Sequence, residues 1–381
     1  MKAPKVALIR QRYAHDGGAE RFVSRALAAL RSRDVQLTLI TREWRGGDGF
    51  EVIVCNPLYL GRLWRDWSFA RAVCRRLKAE SFDLVQSHER IHCCDLYRAG
   101  DGVHREWLAQ RARAQGALGR LGTALNPYHY YVKGAERRLF EGPGLKAVIC
   151  NSRMVRDEIR RWFALADDKL HVIYSGVDTG AFHPDLKTHR GEIRARHGIP
   201  ENATLFLFVG SGFERKGMAA LLQAMALLPG EPFLLVVGRD RKLARFQAQA
   251  QRLGLSQRVL FVGPQQDVKP YYGAAEALVL PTLYDPFPNV ALEAMASGLP
   301  VITSLKSGAA ELIENGKNGF VCDALDVPAL AAHLRAVTPE SAPAMGARAR
   351  ATVEPMSLER MSGELLGLYN SLLHTSKSLK K

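Results

Sequence analysis

Short apolar runs alternate with helical segments along this 381-residue chain, and this alternation constrains the fold most strongly. A near-continuous apolar run such as 204–209 is typical of a strand that is covered on both faces. Runs of this kind separated by amphipathic segments predict parallel α/β sheets. The predicted strands are 5–10, 35–40, 51–55, 82–86, 96–99 and 146–150, then 204–209, 233–237, 258–262, 277–280 and 299–302.

Length and composition favour two domains. With 381 residues and 47% hydrophobic residues, the chain can form two cores. We expect residues 1–178 and 179–356 to be these domains, and the polar stretch 179–196, with Pro184, to be the linker. No run approaches ~20 uncharged apolar residues, so no membrane-spanning helix is predicted. The first apolar run, 6–9, is too short for the core of a signal peptide.

The six cysteines show no C-x-x-C spacing. Cys93 and Cys94 are adjacent and cannot readily form an ordinary disulfide with each other. We therefore expect reduced thiols, as in a cytoplasmic protein.

Positive charge is concentrated in the first half. Residues 1–175 contain 31 Lys and Arg against 19 Asp and Glu, a balance of +12. A helix-like segment over 62–78 carries arginines on one face and apolar residues on the other, and 104–138 combines Arg and Lys with Trp and Tyr. Such surfaces can meet anionic lipid or a phosphorylated acceptor. The alternative is an ordinary amphipathic helix, packed on its own sheet, with a solvated basic face.

The stretch 281–298 has the strongest functional pattern. It follows the predicted strand 277–280 and leads into a helix that begins at Pro288 and ends near Gly298. Backbone N–H groups and aligned peptide dipoles at a helix start favour a bound diphosphate. Asp285 and Glu293 lie eight positions apart and can reach two parts of one ligand. The residues at the helix start are Phe287, Pro288, Asn289 and Val290.

A second glycine-rich loop, Gly210-Ser-Gly-Phe-Glu-Arg-Lys-Gly217, follows the strand 204–209. It is not a dinucleotide-binding fingerprint, because that would need glycine at Arg215, and it lacks the Lys and Ser or Thr that end a Walker A loop. What remains is Gly212 with two cations, Arg215 and Lys216, at another helix start. Fixed cations of this kind can stabilise negative charge that develops on a leaving diphosphate.

Two loops of the first half are also candidates. Gly17 and Gly18 lie between the first strand and a helix predicted over 19–32, where backbone can approach a ligand closely. Asp101 follows the strand 96–99, and polar groups beyond the carboxyl ends of parallel strands point into the ligand-binding crevice. His104 is the alternative candidate for the polar group that this loop places in the crevice. An Asp between two glycines is also simply a good turn.

The segment His88-Glu-Arg-Ile-His92 matches the H-E-x-x-H pattern of zinc proteases. That chemistry needs both imidazoles on one face of a helix. Here the pattern follows a strand signal and runs into Cys93 and Cys94, with no capped helix around it. We therefore expect no zinc site.

The pair Asp285 and Glu293 resembles the acid-x7-acid signature of retaining glycosyltransferases of family 4. This resemblance implies the GT-B fold, an α/β architecture of two Rossmann-like domains facing across a cleft. It further implies that a C-terminal helix near 357–375 crosses back to the N-terminal, acceptor-binding domain, while the second domain binds the nucleotide-sugar donor.

The same resemblance implies roles for individual residues. Asp285, where Glu is usual, would bind the donor sugar, and Glu293 would bind the ribose. Arg215 and Lys216 would hold the diphosphate, and Asp101 occupies a place where many members have a catalytic-site His. The remaining donor contacts would come from Gly17 and Gly18, from Gly212, from Asp267 near the nucleobase, and from the helix start at 287–290.

Within the family, the first-domain pattern, the segment 212–218 and Asp285 are most similar to the lipopolysaccharide core glucosyltransferases. This implies retaining transfer of a hexose, glucose from UDP-glucose, onto a heptose of the lipopolysaccharide inner core. The basic N-terminal domain would then meet the anionic inner membrane from the cytoplasmic side. Two alternatives stay open: another donor, such as UDP-GlcNAc, UDP-galactose or UDP-GalNAc, or another acceptor. We expect no cofactor and no metal, since no D-x-D triplet occurs.

Two other classes of protein compete with this interpretation. A nucleic-acid-binding protein would explain the pI of 9.7, but the cations form no recognised binding module and the second half is nearly neutral. We therefore expect no nucleic-acid partner. A non-catalytic sugar-nucleotide sensor of the same fold would share the donor pattern.

Overall fold

The computed structural model describes residues 3–12, 35–44, 51–230 and 232–378. It divides into two compact units. Unit 1 is Met1–Ser175 with Leu358–Lys381, and unit 2 is Gly176–Ser357. Each unit contains one sheet whose paired strands all run parallel, which confirms the predicted α/β class.

The sheet of unit 1 has the strand order β3-β2-β1-β4-β5-β6-β7. The chain starts in the middle of the sheet, moves outward to β3, and then crosses to the other side at β4. Residues 10–12, which follow β1, and the loops after β4 and β5 therefore lie together at the carboxyl edge. The strands are β1 (Lys5–Ile9), β2 (Gln36–Thr41), β3 (Glu51–Val54), β4 (Leu84–Ser87), β5 (Leu96–Arg98), β6 (Ala147–Cys150) and β7 (Leu170–Val172).

Helices cover both faces of this sheet. Ser152 caps α5, because its side chain accepts a hydrogen bond from the Val155 backbone N–H. Asn126 caps α4 in the same way. The helices described in unit 1 are α1 (Gly61–Ala79), α2 (His104–Arg113), α3 (Ala117–Leu125), α4 (Pro127–Phe140), α5 (Arg153–Phe163) and, at the end of the chain, Leu358–Ser378.

The C-terminal helix Leu358–Ser378 belongs to unit 1, as the predicted fold requires. Leu365 and Tyr369 pack with Val6 and Leu8 of β1 in one buried cluster. The Tyr369 hydroxyl also donates a hydrogen bond to Gln86 of β4. Both the apolar contacts and this buried polar contact fix the helix on the sheet.

The sheet of unit 2 has the order β10-β9-β8-β11-β12-β13. Here β8 and β11 are neighbours although two strands separate them in sequence, so the strand order reverses between them. Such a reversal is where open α/β sheets bind ligands. The strands are β8 (Leu205–Val209), β9 (Phe233–Val237), β10 (Val259–Gly263), β11 (Ala277–Leu280), β12 (Val301–Ser304) and β13 (Gly319–Cys322).

The helices of unit 2 pack on a core that includes Phe206, Phe208 and Leu222. Asp326 caps α11 by accepting a hydrogen bond from the Ala329 N–H. The described helices are α6 (Arg190–Arg196), α7 (Met218–Ala226), α8 (Leu243–Arg252), α9 (Lys269–Ala274), α10 (Asn289–Ala296), α11 (Val327–Ala336) and α12 (Ala342–Val353), with 3-10 turns at Pro184–His189 and Gly308–Leu312.

The prediction that 179–196 is a linker is wrong. Pro184–His189 and α6 are helical, and a Cβ on Gly273 of α9 would meet the Leu186 carbonyl oxygen at 1.8 Å. The Arg194 side chain is 1% exposed, and its Nη2 donates hydrogen bonds to Oε1 and Oε2 of Glu276 at 3.0 and 2.9 Å. Buried charge of this kind is tolerated only with such a partner.

The expectation of six reduced thiols is also wrong. Cys74 on α1 and Cys93, in the loop after β4, form a disulfide with a Cα separation of 5.7 Å. The packing of α1 on the sheet brings these residues together, although they lie 19 positions apart in sequence. The free cysteines are Cys55, Cys94, Cys150 and Cys322.

Candidate active site

The two loops with the strongest sequence patterns lie side by side at the carboxyl edge of the second sheet. One follows β8 and contains Arg215 and Lys216, and the other follows β11 and contains Asp285. Direct contacts join them, because the Leu283 N–H and the Thr282 hydroxyl both donate to the Arg215 carbonyl oxygen, at 2.8 and 3.0 Å. The structure therefore brings Asp285 next to two adjacent residues, Arg215 and Lys216, that lie 69 positions or more before it in the sequence.

Asp285 pairs with both cations. Its Oδ2 lies 3.1 Å from Lys216 Nζ and 3.1 Å from Arg215 Nη1. Arg215 Nη1 also donates to the Tyr284 carbonyl oxygen at 3.0 Å. We call Arg215, Lys216 and Asp285 the ion cluster; it holds two positive charges and one negative charge.

Burial and charge act in opposite directions on the Asp285 carboxyl. Asp285 is 7% exposed, and burial alone would raise its pKa. The charges of Lys216 and Arg215 outweigh burial and hold this pKa below its ordinary value. Asp285 is therefore a carboxylate at neutral pH, and the cluster carries a net positive charge.

Two glycines make room for this arrangement. Gly210, at φ 147°, lies against the stem of Lys216, because a Cβ there would meet Lys216 Cε at 2.6 Å. Gly217, at φ 77°, sits against the Pro281 carbonyl oxygen, which a Cβ would meet at 1.8 Å. A side chain at Gly210 would displace the Lys216 stem within its own loop, and one at Gly217 would push the two loops apart. Both glycines are therefore required by close approach as well as by backbone conformation.

The predicted helix start is also present. Helix α10 begins at Asn289 with Pro288 as its N-cap residue, directly after Asp285 in the same loop. Phe287 is buried, and Val290 packs partly against the core. The positive end of the helix dipole therefore lies in the loop that carries Asp285.

Glu293 lies inside α10 and is 4% exposed. It accepts a hydrogen bond at 2.9 Å from the hydroxyl of Tyr272, which has no exposed surface. Sequence reasoning missed Tyr272. The signal that could have found it is the Tyr271-Tyr272 pair just before β11, since a buried tyrosine hydroxyl requires a hydrogen-bonding partner.

Gly212 and Asp267, two further donor-binding candidates, follow strands β8 and β10 at the same edge of the sheet. Gly212 adopts φ 76° and its carbonyl oxygen accepts from the Lys216 N–H, which closes the loop. Asp267 follows β10, two strands away from β8 in the sheet, and its carboxylate lies 3.2 Å from Lys269 Nζ. Gly17 and Gly18 lie outside the described residues.

Asp101 lies in unit 1, at the end of β5. Its side chain is 70% exposed, and its carboxylate is 3.6 Å from Arg90 Nη1. Arg90 is itself held by Glu136, whose Oε1 accepts from Arg90 Nε at 2.9 Å and from the His104 N–H at 2.8 Å. These bonds fix the loop that presents Asp101.

His104, the alternative candidate, contacts another histidine. Its Nε2 is 3.0 Å from Nδ1 of His129. Burial and the charge of Arg90 lower the pKa of His104 to about 3, so its imidazole is neutral at pH 7.

The segment His88–His92 is not a zinc helix. His88 is buried and its Nε2 lies 2.8 Å from Gln86 Nε2, whereas His92 is exposed in an irregular loop. Across the described parts of the chain, no three His, Cys, Asp or Glu residues are placed to hold a metal ion. The two histidines therefore do not share the helical face that this motif requires.

The basic helix α1 exists, and Ala70, Cys74 and Leu77 on its apolar side pack against the core, whereas Leu63 is exposed. Ser68, Phe69 and Val73 are buried, while Trp64 and Trp67 are 47% and 46% exposed. The apolar side chains at the start of α1 therefore lie at the surface, and the C-terminal half of the helix packs on the core. The large exposed apolar residues of unit 1 around this helix and on α3 are Leu58, Leu60, Leu63, Trp64, Trp67, Leu118, Leu121 and Leu125, which we call the apolar surface residues.

Helix α3 has no buried residue, although its three leucines recur at spacings of three and four and share one face. Arg120 lies on the same helix, and Arg113 and Lys133 lie on its sequence neighbours α2 and α4. None of the helices in the described ranges is sufficiently long and apolar to span a membrane.

Comparison with known proteins supports the same assignment for both units. The sequence-family model for Glycosyltransferase Family 4 matches residues 16–181, and the one for glycosyl transferases group 1 matches residues 189–351. Together these matches include every described strand of both sheets except β1.

Individual relatives agree. The chain is 28% identical over 324 residues to lipopolysaccharide glucosyltransferase WaaG of Escherichia coli K12, covering 83% of this chain and 84% of the relative. It is 33% identical over 298 residues to a D-inositol 3-phosphate glycosyltransferase of Streptomyces avermitilis, covering 70% and 60% respectively.

The fold is similar to the crystal structure of WaaG, a glycosyltransferase involved in lipopolysaccharide biosynthesis. The TM-score is 0.81 at 26% identity, over 94% of this chain and 98% of that one. This similarity confirms the predicted GT-B architecture. With two family models matched in succession and this fold, the chain belongs to glycosyltransferase family 4.

Proposed function

We propose that this glycosyltransferase moves glucose from UDP-glucose, with retention of configuration, onto a heptose of the lipopolysaccharide inner core. The observation that supports this most is the ion cluster at the carboxyl edge of the second sheet. Two fixed cations and a helix start meet there, at the point where the strand order reverses. That combination suits the diphosphate of a nucleotide sugar.

The proposed roles follow from charge. Lys216 and Arg215 bind the diphosphate and stabilise the negative charge that grows on it as the glycosidic bond breaks. Asp285 accepts hydrogen bonds from the sugar hydroxyls, and Glu293 accepts them from the ribose. Because protein cations supply this stabilisation, we propose that transfer proceeds without a metal ion.

The remaining roles concern the acceptor and the rest of the donor. We propose that Asp101 lies near the reacting carbon. We also propose that the segment 287–290, together with Gly17, Gly18, Gly212 and Asp267, completes the contacts with the donor. Unit 1 would be the acceptor domain and unit 2 the donor domain.

Donor binding is tested by thermal unfolding in the presence of UDP-, ADP- and GDP-linked sugars. We expect UDP-glucose to raise the melting temperature most, because a ligand that binds only the folded state stabilises it, by about 2.7 kcal/mol at a concentration of 100 Kd. UDP-GlcNAc, UDP-galactose and UDP-GalNAc test the alternative sugars. A larger shift with an ADP- or GDP-sugar would refute the proposed nucleotide.

Turnover separates an enzyme from a sugar-nucleotide sensor. A glycosyltransferase should release UDP slowly from UDP-glucose in water and faster when lipopolysaccharide core acceptor is added. If UDP-glucose binds but no UDP appears under either condition, the transfer reaction that we propose is wrong even though the donor site is right.

We further propose that unit 1 meets the anionic inner membrane from the cytoplasmic side, where its acceptor is embedded. The first 175 residues carry a balance of +12, and the apolar surface residues lie next to arginines on α1 and α3. Exposed Trp and Leu side chains beside Arg are suited to the interface of a negatively charged bilayer.

Vesicle flotation tests this membrane contact. We expect the protein to float with vesicles that contain anionic phospholipid and to stay behind with purely zwitterionic vesicles. The double variant Leu121→Ser, Leu125→Ser should lower the partition coefficient by about tenfold, because each leucine loses favourable burial in the bilayer. Leu305→Ser is the matched control, since Leu305 is 63% exposed in unit 2. Equal partitioning into both kinds of vesicle would reject the electrostatic contact.

A further inference from the structure

The ion cluster contains its own counter-charge. Asp285 contributes one carboxylate oxygen to both Lys216 and Arg215, each at 3.1 Å. A site built only to attract diphosphate would leave both cations without a carboxylate so close to them. The presence of this carboxylate therefore lowers the affinity of the cluster for negative ligands in general.

We propose that Asp285 discriminates by charge between the donor and the nucleoside diphosphate product, so that the product is held less tightly than its phosphate contacts alone would allow. This inference rests on the proposed function, because it takes the ion cluster as the diphosphate site. It adds a role for Asp285 that does not depend on contact with the sugar.

The two ligands differ in charge at the relevant phosphate. In a nucleotide sugar both phosphates are esterified, and each carries about one negative charge. When the sugar leaves, the terminal phosphate gains a second ionisation with a pKa near 6, so it carries about one further negative charge at pH 7.5. That added charge forms next to Lys216 and Arg215, where the Asp285 carboxylate also lies, and is repelled by it.

Asp285 cannot readily turn away from the cluster. Its N–H donates to the Lys306 carbonyl oxygen at 2.9 Å, and its own carbonyl oxygen accepts from the Gly308 N–H at 2.9 Å. These bonds fix the backbone on both sides of the side chain. Lys216 and Arg215 also hold the pKa of Asp285 below its ordinary value, so the carboxylate stays charged throughout the neutral range.

The test uses Asp285→Asn, which removes the charge and keeps the size of the side chain. Two probes are titrated by calorimetry at pH 7.5 and constant salt: UDP, and the β-methyl ester of UDP. The ester lacks a sugar and has one negative charge fewer than UDP, so contacts between Asp285 and sugar hydroxyls cannot affect the comparison. Glu192→Gln is the matched control, because it neutralises an exposed carboxylate of the same unit that pairs with Arg196 outside the ion cluster and has no proposed role in donor binding.

We expect Asp285→Asn to tighten UDP binding by about tenfold and binding of the methyl ester by only about threefold, since the repulsion scales with ligand charge. Glu192→Gln should not tighten binding of either ligand. An equal gain in affinity for both ligands, or no gain in affinity for UDP, would overturn the proposed charge discrimination but would not affect the assignment of the donor site. If the wild-type protein binds neither probe, the proposed function fails and this inference fails with it. Melting temperatures establish that each variant is folded.

Discussion

Lys216→Met should lower the rate of glucose transfer by about a hundredfold or more. Removing one preorganised electrostatic contact to developing negative charge costs 10²–10³ in kcat, roughly 3–4 kcal/mol of barrier. Lys216 is 7% exposed and its stem fits against Gly210, so an unbranched methionine can occupy the same space without the charge. The measurement is kcat at saturating UDP-glucose.

A matched control separates this local effect from a change in overall charge. Lys317→Met removes one lysine from an exposed turn of the same unit, where Lys317 Nζ lies 2.6 Å from Glu314 Oε2. It should leave kcat within about twofold, because an isolated surface pair contributes little. If Lys216→Met keeps more than about a third of the wild-type rate while remaining folded, the role that we assign to this lysine is wrong.

Glu276→Ala should strongly destabilise unit 2. Glu276 is 5% exposed and accepts from Arg194, from Arg190 and from the Leu205 N–H at the start of β8. Its loss leaves the buried Arg194 guanidinium without a counter-charge, which costs about 3–5 kcal/mol. Thermal unfolding followed by circular dichroism should show a melting temperature lower by roughly 10 °C.

The control lies on the same helix as Arg194. Glu192 pairs with Arg196 at the surface, where both side chains are more than half exposed. Glu192→Ala should change the free energy of unfolding by less than about 0.5 kcal/mol. Similar losses for Glu276→Ala and Glu192→Ala would show that the buried network does not stabilise this unit.

The sequence predicted the residues of the ion cluster because each follows a clear local signal. Arg215 and Lys216 come after a continuous apolar strand and a glycine loop, and Asp285 comes after another such strand. Polar groups at the carboxyl ends of parallel strands converge at one edge, so a shared site could be expected. The pairing of Asp285 with both cations could not, because it depends on β8 lying next to β11.

Residues that act through distant partners left no local signal. Arg194 looks like an ordinary surface cation in the sequence, and its partner Glu276 lies 82 positions away. The same holds for Cys74 and Cys93, which only the packing of α1 brings together. The predicted linker and the predicted reduced thiols were wrong for this reason.

Two short strands, β7 and β13, were missed for a different reason. Strands β7 and β13 contain three and four residues, and the turn residues Asn318 and Gly319 mark the start of β13. Strand β6, also of four residues, was predicted because it is a continuous apolar run, whereas β7 contains His171 and β13 begins at the turn residue Gly319, so polar and turn signals dominate there. These strands complete the sheets at their edges, where neighbouring backbone rather than side-chain pattern determines pairing.

The most direct test of the central claim is a crystal structure of the protein with UDP-glucose bound. Our account predicts that oxygens of the diphosphate lie about 3 Å from Lys216 Nζ and from the Arg215 guanidinium, at the start of α10. A diphosphate bound elsewhere in a fully occupied complex, with Lys216 still paired only to Asp285, would contradict it.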